Sequence, residues 1–183
     1  GLLARPHVVL DRRPFCGHEG AAPGDPGHLL LDADIFPGDR VKVSAPLVVN
    51  EGDVVLLELS GARHRYHAPL SRTVYLGEPP PDLRETADAV VNGLQETLAG
   101  IRPGITAEEV EARWRDAIAH TGVAKPSRVG YAFGLNYVPD WGEHTISLRP
   151  GDKTVLQPGM TLHFMPGIWL DYYGFECSEP VLI

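Results

Sequence analysis

Glu58 is the first residue in this sequence whose surroundings suggest chemistry. It follows the apolar run Val54-Val55-Leu56-Leu57 and precedes Leu59. A carboxylate in so apolar a strand titrates above its usual range unless it is paired, and such a group serves as general base, general acid or covalent nucleophile. An ion pair with Arg63, Arg65 or Arg72 is the structural alternative. His163 stands in a second apolar run, Thr161-Leu162-His163-Phe164, where it reads either as a proton carrier or as a satisfied core histidine. Glu143 follows Trp141-Gly142 and has the chemistry to meet a cation, with Trp141 stacking on it; a capped turn with a core Trp is the other reading. Arg63-His64-Arg65 reads as a solvated hairpin turn. Cys16 and Cys177 have no matching base and neither reads as a nucleophile. His7, His64 and His120 carry no argument.

These side chains need strands and helices to hold them. Val8-Val9-Leu10 reads as a short strand, Phe15 to Gly27 as a Gly/Pro-rich loop, and Leu29 to Ile35 and Val41 to Val49 as short strands broken by Phe36-Pro37-Gly38-Asp39. Val54 to Leu59 has the continuous apolarity of a strand buried on both faces. A second strand over about Arg65 to Leu76 ends at Gly77-Glu78-Pro79-Pro80-Pro81. Asp82 with Glu85 resembles a capping box that opens a helix to about Ala99, with Gly100 as stop. Thr106-Ala107-Glu108-Glu109 is a better capping box, opening a helix to about His120 that Gly122 ends. Val110, Trp114, Ala117 and Ile118 form its apolar face. From Val129 onward strands and turns return. Strands, two helices, then strands indicate an α+β fold, with an irregular leading segment over 1–50 and a single domain over 51–183.

Composition narrows the function. The chain has 183 residues, 43% hydrophobic and 22% charged, enough for one ordinary domain and outside the range of disorder. Its 16 Lys+Arg against 24 Asp+Glu give a net charge of −8, which argues against nucleic acid as partner. No apolar run approaches the ~20 residues of a membrane span. Two cysteines are too few for a disulfide framework, so a reducing cytoplasm is expected. The chain begins with Gly1 rather than Met and carries no signal-peptide pattern, which suggests a fragment or a processed chain.

One internal repeat organises the rest. Val48-Val49-Asn50-Glu51-Gly52-Asp53-Val54-Val55-Leu56-Leu57-Glu58 aligns with Val155-Leu156-Gln157-Pro158-Gly159-Met160-Thr161-Leu162-His163-Phe164-Met165. Each copy is a turn ending in Gly followed by a strand, and two copies flanking a helical pair predict a pseudo-symmetric sheet with helices packed on it. Strand alternation then points Glu58 and His163 into one cavity.

The repeat, together with Tyr66, Leu70-Ser71-Arg72-Thr73, Gly130-Tyr131-Ala132-Phe133-Gly134-Leu135 and Pro158-Gly159-Met160, resembles the pita-bread superfamily of aminopeptidases, creatinase and ectoine hydrolase. The likeness runs from about Glu51 to Ile183 and implies that fold, a curved antiparallel sheet with helices on one side. It also implies that the superfamily's leading helices are missing here. In the metallopeptidases of that superfamily, two Asp, one His and two Glu bind two divalent ions. The resemblance lays those positions on Glu58, Pro69, Tyr131, Met165 and Ser178, with Glu179 one residue off register. Such a set is unsuited to two hard cations, so neither metal nor other cofactor is expected. Arg65-Tyr66-His67-Ala68-Pro69-Leu70-Ser71-Arg72-Thr73, Pro139-Asp140-Trp141-Gly142-Glu143, Leu148-Arg149-Pro150-Gly151-Asp152 and His163-Phe164-Met165-Pro166-Gly167-Ile168-Trp169 are similar to ectoine hydrolase within the metal-free branch. An early catalytic His of that branch has no clear counterpart; His18 and His28 lie in a stretch of uncertain register.

The resemblance implies a metal-independent hydrolase of a C–N bond in a small polar cyclic amidine or amide. Glu58, His67, His163 and Glu143 are its expected catalytic residues. His67, two residues from the Pro69 position, reads as a proton shuttle or a structural His. Tyr66, Tyr131, Phe133, Trp141, Met165 and Ser178 are the expected substrate-binding set. A non-catalytic binding module, or a biosynthetic tailoring enzyme reusing the pocket, is the alternative. Because leading helices would cover one sheet face, the expected partner is a second copy of the chain or an amino-terminal segment.

Overall fold

Two glycine turns with matching backbone hydrogen bonds lead into one strand of each main sheet. Gly52, at φ 94°, donates its N–H to the Leu76 carbonyl at 2.7 Å, Asp53 donates to Asn50 O at 3.1 Å, and Leu76 donates back to Asp53 O at 3.1 Å. Gly159, at φ 89°, repeats the pattern: its N–H reaches Ile183 O at 2.8 Å, Met160 donates to Gln157 O at 3.2 Å, and Ile183 to Met160 O at 2.9 Å. Such φ values strain any residue with a Cβ, which explains why glycine occupies both copies. The internal repeat is therefore a structural one, and it extends through the partner strand of each copy. The computed structural model describes residues 7–11, 28–32, 50–136, 141–170 and 172–183.

The first sheet has the order β2-β1-β3-β4, with β1 His7–Asp11, β2 His28–Asp32, β3 Val54–Arg63 and β4 Tyr66–Tyr75. The short strands expected around Val8 and Leu29 are there. The expected loop over Phe15 to Gly27, the strand over Val41 to Val49 and the break at Phe36-Pro37-Gly38-Asp39 fall outside the described residues. Strand β3 runs past Leu59 into a hairpin whose tip, His64 and Arg65, takes left-handed φ values of 50° and 65°, the geometry of a tight two-residue hairpin. The side chains of Val54 to Leu59 are half-buried rather than buried on both faces. Among the described residues no helix packs on β3; its neighbours are β1, β4 and β9.

Between the sheets come α1 Pro81–Leu98 and α2 Ala107–Ile118. The expected Asp82/Glu85 capping box is absent. Helix α1 starts with Pro80 as its cap residue and no side-chain cap bond, because a proline at the first turn fixes φ and has no N–H to satisfy. At α2 the expected box forms, with Thr106 and Glu109 each bonding the other's backbone. A single 3₁₀ turn, Ala119–Thr121, then ends at Gly122 with φ 68°. The helices meet where Gly93 faces Trp114 and Ile118, so closely that a Cβ there would lie 3.1 Å from both.

The second sheet has the order β10-β7-β5-β6, with β5 Gly130–Phe133, β6 Gly142–Ser147, β7 Thr161–Phe164 and β10 Glu179–Leu182; β8 Gly167–Trp169 and β9 Gly174–Glu176 form a separate pair. Pro180 sits on the edge strand β10, where a missing N–H is tolerated. One core joins Val90 and Leu94 of α1, Val110, Trp114 and Ile118 of α2, and Leu162, Phe164, Ala132, Ile146 and Ile168 of the strands. Leu162 and Phe164 thus face the helices, which leaves Thr161 and His163 on the opposite face. Along β4 the sheets join: Arg72 bridges Cys177, and Ser178 N–H donates to Ser71 O at 3.2 Å.

Candidate active site

The antiparallel registers bring the chemical residues together. Glu58 of β3 stands directly opposite Ser71 of β4, and Tyr131 of β5 directly opposite His163 of β7. Across the junction, Ser71 Oγ lies 2.8 Å from Glu176 Oε1 and 2.9 Å from Ser178 Oγ. Ser178 Oγ also accepts the Ser71 N–H at 2.6 Å and lies 2.6 Å from His163 Nε2. His163 Nδ1 lies 3.0 Å from the Tyr131 hydroxyl, to which Trp141 Nε1 donates at 2.7 Å. One unbroken row of hydrogen bonds therefore links Trp141, Tyr131, His163, Ser178, Ser71 and Glu176.

Burial sets the charge states. Glu58 has no hydrogen bond or ion pair among the described residues, and desolvation pushes its carboxyl up to about 7. Arg72, one of its expected ion-pair partners, is bound to Glu179 instead. Glu176, fully enclosed, is held above the usual carboxylate range by desolvation and then by the charge on Glu58, with Lys125 and the Ser71 hydroxyl opposing. His163 is pushed down to about 3 by desolvation and by Arg128, so its imidazole is neutral. The Tyr131 phenol is raised, first by burial and then by Glu58. Arg128 lies 4.6 Å over the Tyr131 ring.

Of the expected catalytic residues, Glu58 and His163 lie in or beside this cluster. His67 is buried elsewhere on the same face of β4, its Nδ1 3.3 Å from Ser60 Oγ and its Nε2 3.4 Å from the Asn136 carbonyl. Glu143 is exposed on β6, its carboxylate lying close over Gly134. Among the expected binding residues, Tyr131, Trp141 and Ser178 belong to the hydrogen-bonded row. Phe133 is buried and meets the Tyr66 ring edge-on at 6.5 Å, while the Tyr66 hydroxyl lies 3.1 Å from Thr161 Oγ1. Met165 is half-buried. Cys177 keeps its thiol raised by desolvation, unlike an activated nucleophile; Cys16 is outside the described residues. Sequence reading missed Ser71, Glu176, Lys125 and Arg128 as site residues. Ser71 had a signal: it stands as far beyond Glu58 as Ser178 does beyond Met165. The others are joined to the site only by tertiary contacts.

Residues 33–183 match the model of metallopeptidase family M24. The chain belongs to that family. Ectoine hydrolase of Halomonas elongata is 43% identical over 168 residues, covering 91% of this chain and 38% of the relative. An uncharacterised hydrolase/peptidase of Sinorhizobium fredii is 40% identical over 150 residues, covering 80% of this chain and 38% of the relative. The chain thus spans less than two-fifths of the length of these relatives. Among solved structures, prolidase from Pyrococcus furiosus superposes with a TM-score of 0.68 at 27% identity, over 74% of this chain and 40% of that one. X-Pro aminopeptidase from Thermotoga maritima gives 0.70 at 19% identity, over 97% and 44%, a likeness of fold alone. The fold is the pita-bread fold, and the resemblance read from the sequence holds.

The M24 family's name raises the question of a metal pair. The donors here do not fit one. Pro69 offers no ligand atom and Met165 a soft thioether. The Tyr131 and Ser178 oxygens are already engaged by Trp141, His163 and Ser71. Among the described residues no group of three His, Cys, Asp or Glu converges as metal ligands. Also among the described residues, no helix is long and apolar enough to cross a membrane.

Proposed function

We propose that this chain carries the catalytic part of a metal-independent hydrolase that opens a C–N bond in a small, polar cyclic amidine or amide, as the name of its Halomonas relative suggests. The observation that carries the reading is Glu58: a carboxylate without hydrogen bond or ion pair among the described residues, raised to about 7, opposite Ser71 and coupled by its charge to the Tyr131 phenol. Ionised Glu58 attacks the amidine carbon or takes a proton from a water that does so. The departing nitrogen then needs a proton, and the Tyr131 hydroxyl, whose titration feels the charge on Glu58, can donate it. Arg128, half-buried and without an ion pair among the described residues, suits the carboxylate of a zwitterionic substrate.

The test is hydrolysis of ectoine and related cyclic amidines by the full chain and by Glu58→Gln. Binding survives while turnover falls about 10²–10⁴-fold, the usual worth of a general base, or more for a nucleophile. Near-normal turnover by Glu58→Gln removes this residue from the mechanism.

A further inference from the structure

Ser71 and Ser178 are counterparts in the internal repeat. Each stands opposite the sixth residue past its glycine turn: Ser71 opposite Glu58, and Ser178 opposite Met165 if the Glu179–Phe164 pairing is continued by one residue. They meet hydroxyl to hydroxyl at the sheet junction, 2.9 Å apart, and each also binds the other's backbone or side chain through its N–H. Both are fully buried, as are His163 and Glu176. A buried hydroxyl has one proton to donate and lone pairs to accept. Ser71 has two acceptors within reach, Glu176 Oε1 and Ser178 Oγ, and serves only one at a time. The row therefore has two complete arrangements, running in opposite directions.

We propose that Ser71, Ser178 and His163 form a proton relay across the sheet junction, connecting Glu176, as the proton reservoir, to the Tyr131 hydroxyl at the reaction site. With Glu176 protonated, its O–H donates to Ser71, Ser71 to Ser178, and Ser178 to His163 Nε2; His163 then carries its proton on Nδ1 and donates to the Tyr131 oxygen. The Tyr131 proton is free to pass to a leaving nitrogen. When it does, the phenolate takes the Nδ1 proton, Nε2 takes one from Ser178, Ser178 one from Ser71, and Ser71 one from Glu176. One proton has left Glu176 and one has reached the substrate, with His163 neutral throughout and changed only in tautomer. Now every bond points the other way, toward an ionised Glu176. Water or product acid returns the proton to complete the cycle.

The groups around the relay are suited to this. Burial raises Glu176 so that it holds a proton near neutrality, and depresses His163 so that it passes a proton without storing charge. The charged groups acting on Glu176 are Glu58 from β3 and Lys125 from the segment before β5; α1, which also packs on β9, adds none. On His163 the charge is that of Arg128, with Tyr131 and Ser178 as hydrogen-bond partners.

The role of Tyr131 as donor rests on the proposed hydrolytic reading; the relay itself does not, so its test reads the imidazole rather than turnover. Nitrogen-15 NMR of the full chain, with the His163 signals assigned by their loss in His163→Gln, reports which ring nitrogen carries hydrogen. The expected result is a switch from the Nδ1–H to the Nε2–H tautomer as pH rises and Glu176 ionises. The switch disappears in Glu176→Gln, in Ser178→Ala and in Ser71→Ala, and returns in Ser178→Thr, which restores a hydroxyl. It persists in Glu58→Gln, so loss of turnover there leaves the relay intact and separates the two claims. A single tautomer throughout the titration of the unaltered chain, or a switch that survives in either Ser71→Ala or Ser178→Ala, overturns the relay. Folding of each variant is checked by its amide spectrum, and either serine variant alone suffices.

Discussion

The two halves of the repeat share a turn and a strand but not an environment. In the first, Gly52 leads to Glu58 on a strand that no helix covers among the described residues. In the second, Gly159 leads to Met165 at the end of a strand whose Leu162 and Phe164 are sealed under two helices. The backbone plan is common, so the difference lies in what packs on each copy. One half supplies most of the apolar core; the other supplies the Glu58 carboxylate, raised by desolvation. Burial without a partner costs free energy, and the half that does not hold the core can bear it.

This contrast is broken or sharpened most strongly at the symmetry-related pair Glu58 and Met165. Glu58→Gln lowers turnover about 10²–10⁴-fold, whereas Met165→Leu, a volume-conserving change, leaves it within a few-fold; equal losses in steady-state kinetics would mean that the carboxylate has no special role. Next comes the pair one residue earlier. Phe164→Ala, from a fully buried side chain, costs about 3–5 kcal/mol in urea unfolding. Leu57→Ala, half-buried on β3, costs less, on the order of 1–2 kcal/mol.

Stability against pH separates the site's carboxyl groups from its imidazole. The folded-state value of Glu58 is raised from 4.5 to about 7, so its contribution is full below pH 4.5 and declines as pH rises toward 7, by about 3 kcal/mol at most. His163 is depressed from 6.5 to about 3, so its contribution is full above pH 6.5 and declines as pH falls toward 3. Glu58→Gln makes the first slope shallower and leaves the second, as chemical denaturation across pH measures; the buried Glu176 keeps a slope of the same sign. Smallest are Gly52→Ala and Gly159→Ala. A Cβ meets only an ordinary 3.9 Å contact at the first and open space at the second, so each costs only its backbone strain, about 1 kcal/mol. Clearly unequal costs in thermal unfolding would argue against the turns' equivalence.

Much of this was legible in the sequence. Gly52 and Gly159 sit at matching places in two similar strings, which is why the repeat could be read. Thr106 and Glu109 announce α2 because their bonds are local. Glu58 stood out because a lone carboxylate in an apolar strand has few bland explanations. The start of α1 was misread because Asp82 and Glu85 imitate a cap that the preceding prolines make unnecessary. Glu176, Lys125 and Arg128 stayed hidden because their meaning comes from tertiary approach: nothing in Gly174-Phe175-Glu176 says that this carboxylate reaches Ser71, 105 residues earlier. Alternation puts His67 on the same face of its strand as Ser71, yet it cannot tell that Ser60 and Asn136 hold its ring.

The proposed hydrolysis runs through Glu58 rather than a metal pair. The most direct measurement is turnover of a cyclic amidine before and after exhaustive chelation, with elemental analysis of the same sample. The account predicts unchanged turnover and no stoichiometric manganese or transition metal. Turnover that collapses on chelation and returns when a divalent metal is added back would contradict it.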